Sequence, residues 1–339
     1  MASLNKVADM SDNQCVLLCP GQGAQKLGMG RAWVDAHPAS AQTFAAADAA
    51  LDLEIEGTRH KLSELCFGGP EDQLNRTDVS QPALYTCAVA SYQGLLEQGW
   101  ERQAIASAGL SLGEWTALHL AGVIGFVEGL RLVALRGRLM QDAAKASRGS
   151  MVALIGADEA QADEVCEQAA AGEVLVPANY NAPGQIVISG AVDACSRAIE
   201  VATALGLRAT QLSVAGAFHS PLMEPAAEGL ARALEQIELS EPRIPVWSNV
   251  TGSPHEGSDP ESIKKRLVEQ LTSPVRWSQC CESMTATLVS DDSTPEWNEL
   301  APGTVLRGLF RRIDRKAKVR THDAPETNVE QEPSPGATG

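Results

Sequence analysis

The stretch Ala108–Leu118, AGLSLGEWTAL, constrains the fold of this chain most tightly. In it Gly109-Leu110-Ser111-Leu112-Gly113 joins a short apolar run, Ala104–Ala108, to a run of helix-forming residues, Glu114–Ile124. Strand, turn and helix in that order give G-x-S-x-G its meaning. The glycines permit a tight reversal that pushes the serine Oγ out over the end of a sheet. The helix that follows begins with backbone N–H groups lacking partners inside it, so an oxyanion formed beside Ser111 would meet ready donors. A serine in an ordinary glycine-rich turn looks the same in isolation, and the rest of the chain has to decide.

A serine hydroxyl is a weak nucleophile without a base, and six histidines are available, at 37, 60, 119, 219, 255 and 322. His219 is best placed: AGAFHSP follows a strand pattern and precedes a helical one, where sheet-based folds display functional side chains. Taken alone it reads as a helix-start histidine bonded to backbone; beside an elbow serine it reads as the base. Arg136 carries a second signal. In the helix expected over Phe126–Ala144 its neighbours three and four residues away are Leu132, Val133, Leu139 and Met140, which puts a guanidinium on an apolar stripe. Such a cation needs an anionic partner. A buried Asp or Glu would serve, and so would a substrate carboxylate clamped through two parallel hydrogen bonds. Gln22, in PGQGAQ after the first strand, could complete an oxyanion hole or mark a simple tight turn. The loop lacks the Lys-Ser/Thr ending of a P-loop and the spacing of a dinucleotide site, which excludes a phosphate cradle.

A chain of 339 residues, 44% hydrophobic, has room for one large domain with a smaller one inserted. The net charge of −16 excludes nucleic acid as a general partner. No apolar run is long enough to span a membrane and no secretory signal is visible, so a cytoplasmic location is expected. Eight cysteines, at 15, 19, 66, 87, 166, 195, 280 and 281, show neither C-x-x-C nor a Cys/His quartet; reduced core thiols are expected, with no metal. Residues 1–13 and 318–339 read as disordered tails. Cys15–Cys19 reads as a first strand, and Ser80 as the cap of a helix with Pro82 in its first turn. Residues 148–214 carry a β-α-β-β-α-β pattern with a hairpin turn at Pro183-Gly184, resembling a ferredoxin-like unit inserted between 14–147 and 215–317. Ser220-Pro221 opens a further helix.

At this point the chain resembles the malonyl-CoA:acyl carrier protein transacylases and the acyltransferase domains of polyketide synthases. The resemblance spans about residues 15–316 and rests on co-linear motifs: LLCPGQGAQKLGMG, LNRTDVSQPAL, AGLSLGEWTALHLAGVIGF, LRGRLMQDA, NYNAPGQIVISG, GAFHSPLMEPA, EQLTSPVRW and APGTVLRGL. It implies an α/β fold: an α/β-hydrolase-like core with a parallel sheet, an inserted ferredoxin-like subdomain and an active site between them. By the same resemblance Ser111 is the acylated nucleophile and His219 its base, and the N–H groups of Leu112 and Gln22 form the oxyanion hole. Arg136 holds the malonyl carboxylate, and the backbone carbonyl of Gln270 orients His219. No cofactor is implied, since malonyl-CoA is a substrate and the phosphopantetheine arrives on the acyl carrier protein. A monomer is expected.

Two residues depart from the family pattern: Leu110 stands where a histidine usually precedes the nucleophile, and Ala301 where a glycine is usual. A basic run of Arg307, Arg311, Arg312, Arg315, Lys316, Lys318 and Arg320 could dock an acidic carrier or be a solvated helix end, and Lys264-Lys265-Arg266 is a second such patch. A serine thioesterase on the same core and a non-catalytic carrier-binding scaffold are the competing readings. Phe218, directly before His219, resembles acyltransferases that prefer malonyl to methylmalonyl units, because a large ring crowds an α-methyl branch. One methyl group is worth about 1–3 kcal/mol, so malonyl-CoA is expected to acylate the protein at least about fivefold faster than methylmalonyl-CoA. Equal rates would remove Phe218 from the account.

Overall fold

The computed structural model describes residues 13–255, 259–290 and 293–326, so the stretches 1–12 and 327–339 of the expected disordered tails lie outside the described residues. Two main sheets organise the rest. β1 (Gln14–Cys19), β4 (Gln103–Gly109), β9 (Glu296–Leu300) and β10 (Val319–His322) form a parallel sheet in the order β10-β9-β1-β4. β5 (Gly149–Ile155), β6 (Leu175–Ala182), β7 (Gln185–Ala191) and β8 (Arg208–Gln211) form an antiparallel sheet in the order β6-β7-β5-β8. β2 (Leu53–Ile55) and β3 (Thr58–His60) make a separate hairpin.

The sequence QCVLLC of β1 is buried along almost its whole length, as a parallel strand covered on both faces must be. Val16 and Leu18, with Ala106 and Ala108 of β4, face a core that includes Trp277, Trp297 and Phe310. A larger core packs the helices Thr77–Glu97, Leu112–Leu120 and Phe126–Ala146 together through Leu84, Trp115 and Leu130. Register then brings two loops together. Leu18 pairs with Ala108 and Cys19 with Gly109, so β1 and β4 end side by side and their following loops leave the same carboxyl edge, where open parallel sheets form their ligand crevices. The loops touch: a Cβ on Gly21 would fall 2.1 Å from the Leu110 carbonyl oxygen.

The antiparallel unit has its own core of Val152, Leu154, Val165, Ile188 and Ala198. The helix Glu159–Ala170 connects β5 to β6, and Val192–Ala204 connects β7 to β8. Its central hairpin pairs Ala182 with Gln185, and Gly184 takes φ +72°, the value the third residue of a type II turn requires after proline.

Two boundaries differ from the sequence reading. The helix expected to start at Ser80 begins at Thr77, with Pro82 inside it. Pro82 forfeits one backbone bond, and burial of nearly every residue from Val79 to Ser91 outweighs that loss. The second correction concerns the C-terminal tail. Residues 319–322 form β10, pairing with β9 along Trp297–Leu300. The carbonyl of His322 accepts a 2.9 Å hydrogen bond from Trp33 Nε1, and Asp323 accepts from Gly303 N–H at 2.7 Å and from Lys26. The polar look of VRTHD hid an edge strand. Deleting residues 319–339 leaves the buried Trp33 N–H unpartnered, at about 1–3 kcal/mol, besides removing the ladder. The truncated protein is expected to unfold at a clearly lower urea concentration; an unchanged midpoint would mean that β10 adds nothing to stability.

Candidate active site

Ser111 occupies the turn between β4 and the helix Leu112–Leu120 with φ 52° and ψ −102°, a backbone conformation rare for any residue but glycine. The flanking glycines serve a different purpose: close approach. A Cβ on Gly109 would lie 1.9 Å from the carbonyl carbon of Gly113, and one on Gly113 would lie 2.0 Å from the Cys19 oxygen. The strain therefore sits on the serine itself, and Asn249 clamps it. Asn249 Oδ1 accepts from Ser111 N–H at 2.6 Å, and its Nδ2 donates to the Gly109 carbonyl at 2.8 Å. The segment Pro245–Trp247 runs beside β4, bonded both ways to Ser107, and delivers Asn249 to the elbow.

His219 Nε2 lies 2.9 Å from Ser111 Oγ, and its Nδ1 lies 2.7 Å from the Gln270 carbonyl oxygen. A carbonyl only accepts, so it fixes the tautomer with hydrogen on Nδ1 and leaves the Nε2 lone pair facing the hydroxyl. His219 also has positive φ, at 57°. Burial pushes its pKa down from 6.5 to about 4, the charge of Arg136 pushes the same way, and the Gln270 bond opposes both.

Arg136 is 1% exposed at the middle of the helix Phe126–Ala146. The sequence left an ion pair and a substrate clamp open. No carboxylate of a described residue lies within ion-pair distance of the guanidinium. Its neighbours are uncharged: Nη1 donates to Gln81 Oε1 at 2.6 Å, and Nη2 donates to Gln270 Oε1 at 2.9 Å and to Ser111 Oγ at 3.1 Å. Nε has no partner among the described residues. Burial draws the pKa of Arg136 down to about 10, with Glu114 acting in the opposite direction.

These groups open onto a cavity of about 530 Å³ between the two sheets, lined by Gln22, Ser111, Leu112, Arg136, Phe218 and His219. Leu112 is the first residue of its helix, so its N–H has no acceptor within that helix. Met140, Met151, Val187 and Leu212 supply apolar wall, Leu110 adds to it, and Val305, Leu306 and Leu309 line the side formed by the helix Val305–Ile313. Ala301 is buried and does not adopt positive φ, so its backbone does not require the family's glycine. All eight cysteines are buried and unpaired. Among the described residues no cluster of His, Cys, Asp or Glu could hold a metal ion, and no helix is long and apolar enough to cross a membrane.

All seven residues singled out from the sequence lie in or against this cavity, with Gln270 contributing its side chain as well as its carbonyl. Sequence reasoning missed Gln81, Asn249, Glu114 and His255. Gln81 left a faint signal, as an amide within the buried stretch that precedes Pro82. Asn249 and His255 reach the elbow only after the chain has folded, and Glu114, although part of the elbow helix, meets its partners Asn249, His255 and Gln270 only then.

Comparison with known proteins agrees with the geometry. The family described as acyl transferase domain matches residues 16–290. The malonyl CoA-acyl carrier protein transacylase of Escherichia coli (strain K12) is 40% identical over 301 residues, covering 88% of this chain and 93% of that protein. The crystal structure of the malonyl-CoA:acyl carrier protein transacylase of Xanthomonas oryzae pv. oryzae superposes with a TM-score of 0.84 at 40% identity, covering 93% and 96% of the two chains. A malonyl-transacylase solved in complex with its type II polyketide acyl carrier protein gives 0.84 at 39% identity, covering 92% and 96%. The chain belongs to the malonyl-CoA:acyl carrier protein transacylase family of acyl transferase domains.

Proposed function

We propose that this protein transfers a malonyl group from malonyl-CoA to the phosphopantetheine thiol of an acyl carrier protein through a malonyl-Ser111 intermediate. One observation carries the reading: a single hydroxyl oxygen, Ser111 Oγ, lies 2.9 Å from His219 Nε2 and 3.1 Å from Arg136 Nη2. A malonyl group esterified to Oγ carries its free carboxylate only two carbons beyond the ester carbonyl. A cation that touches the nucleophile is therefore within reach of that carboxylate, whereas an acetyl group would leave the buried guanidinium without an anion.

Ser111 Oγ attacks the thioester carbonyl as His219 Nε2 takes its proton. The oxyanion meets the N–H groups of Leu112 and Gln22. Collapse breaks the carbon–sulfur bond, and the departing coenzyme A thiolate receives the proton from His219. In the second half the carrier's thiol gives its proton to His219 and attacks the ester, and Ser111 Oγ leaves with that proton. The kinetics are ping-pong. Both sheets wall the cavity, and we read the antiparallel unit, about residues 148–214, as an inserted ferredoxin-like subdomain on an α/β-hydrolase-like core. The chain acts without a cofactor and, in this reading, as a cytoplasmic monomer.

The exposed Arg307, Arg311, Arg312, Arg315 and Lys316 project from and just beyond the helix that lines the cavity, and suit an acidic carrier. The rival patch is largely offset internally: Lys264 pairs with Glu261, and Lys265 and Arg266 share Glu269.

Intact mass spectrometry after mixing with malonyl-CoA tests the reading. A malonyl adduct is expected on the native protein, none on Ser111→Ala and less on Arg136→Ala. Added pantetheinylated carrier should remove the adduct, more slowly from Arg311→Glu/Arg312→Glu at low salt. Decay to free malonate with none on the carrier would indicate a thioesterase, and no adduct at all a scaffold. The pH profile gives a second test. His219 works as a base only when neutral, so kcat/KM is retained above its pKa in the folded protein and lost as pH falls through it. The acidic limb is expected well below the ordinary histidine value of 6.5, moving up in Arg136→Ala as the cation's repulsion is removed. A limb near 6.5 in both proteins would contradict this environment for His219.

A further inference from the structure

Glu114 and His255 are buried beside the elbow, yet the acyl transfer described above uses neither. Glu114 sits in the first turn of the helix after Ser111. Its Oε2 accepts from Asn249 N–H at 2.9 Å and from Gln270 Nε2 at 2.7 Å, and its Oε1 lies 2.8 Å from His255 Nε2. The other end of the same amide, Gln270 Oε1, accepts from Arg136 Nη2 at 2.9 Å. A carboxylate only accepts, so Glu114, with the Ser111 carbonyl that accepts from the same Nε2 at 3.1 Å, holds the amino end of the Gln270 amide and leaves the carbonyl end for the cation. Anion, amide dipole and cation follow one another with every dipole aligned.

We propose that Glu114 is a positioning residue for acyl-group selection: acting through the Gln270 side chain and held by His255, it keeps Arg136 aimed at the nucleophile with its remaining N–H groups open to a carboxylate. A direct ion pair would stabilise the buried cation but would fill its fork with a resident carboxylate, in competition with the substrate. A counter-charge placed one amide away supports the cation and keeps a resident carboxylate off the guanidinium, whose Nε has no partner among the described residues and whose Nη2 contact to Ser111 Oγ can be exchanged. His255 completes the arrangement. Its Nε2 faces Glu114 Oε1 and its Nδ1 has no partner among the described residues, so the contact of His255 with the cluster is the one hydrogen bond it donates to the carboxylate.

This inference rests on the malonyl-transfer reading, and its test separates the two. Acylation by malonyl-CoA and by acetyl-CoA is measured for the native protein and for Glu114→Gln, His255→Gln and His255→Leu. Glu114→Gln keeps the shape but removes the counter-charge and leaves the Ser111 carbonyl as the nearest fixed acceptor of Gln270 Nε2. The preference for malonyl over acetyl is expected to fall at least about tenfold in Glu114→Gln and His255→Leu, through a raised KM for malonyl-CoA, and to stay within about threefold of native in His255→Gln, which keeps a donor. Equal losses on both substrates would reduce Glu114 to a structural support of the elbow, and unchanged ratios would remove it from selection; either result overturns the inference. If Glu114→Gln does not fold, the two His255 variants decide by the same ratio. A native protein that malonyl-CoA does not acylate would overturn the functional reading and this inference with it, whereas normal native acylation with unchanged variant ratios would overturn this inference alone.

Discussion

A guanidinium buried with no carboxylate of a described residue beside it is the constraint on which the rest of the site depends. Moving an ion of this size out of water costs several kcal/mol even after the protein relaxes, and Arg136 meets that cost with the oxygens of Gln81, Gln270 and Ser111 rather than with an ion pair. A protein selected only for stability would place an acid there or a hydrocarbon. In the proposed function the anion is the carboxylate of the acyl group: its binding would supply the charge pair that the described residues do not, and an acyl chain without a carboxylate would not.

The same cation connects the site's other features. It contacts Ser111 Oγ, adds to the burial that lowers the pKa of His219, and joins Gln270, whose carbonyl holds the imidazole. Ser111 and His219 both take positive φ, at a cost of about 1–3 kcal/mol each where the surroundings over-determine them. Those surroundings can be named. Asn249 grips the elbow on both sides of Leu110, and the closeness of Gly113 to the Cys19 carbonyl sets the helix against the end of β1.

Much of this was legible before folding because it is local. Gly109 to Gly113 records a turn, the apolar neighbours of Arg136 record the face of a helix, and Pro183-Gly184 records a hairpin. Ser111 with His219, 108 residues apart, could be paired only by chemical need and by resemblance. Asn249, Glu114 and His255 had no local signature, since their partners come from β4, the elbow helix and the segment beyond Trp247, which meet only in three dimensions. β10 was hidden for a related reason: as an edge strand with alternating polar side chains it has the composition of a tail, and only its pairing with β9 and the Trp33 bond to His322 distinguish it. Pro82 misled because the helix around it is held by burial rather than by local propensity.

The proposed function requires the Arg136 guanidinium to receive the carboxylate of the acyl group. The most direct measurement is a crystal structure of the protein acylated with malonyl-CoA in the absence of an acceptor thiol. The malonyl ester is expected on Ser111 Oγ with both carboxylate oxygens within hydrogen-bond distance of the Arg136 guanidinium, and the present contact from Nη2 to Oγ replaced by a contact to the carboxylate. A carboxylate turned away along the cleft toward Val305, with Arg136 still bonded only to Gln81, Gln270 and Ser111 Oγ, would contradict it.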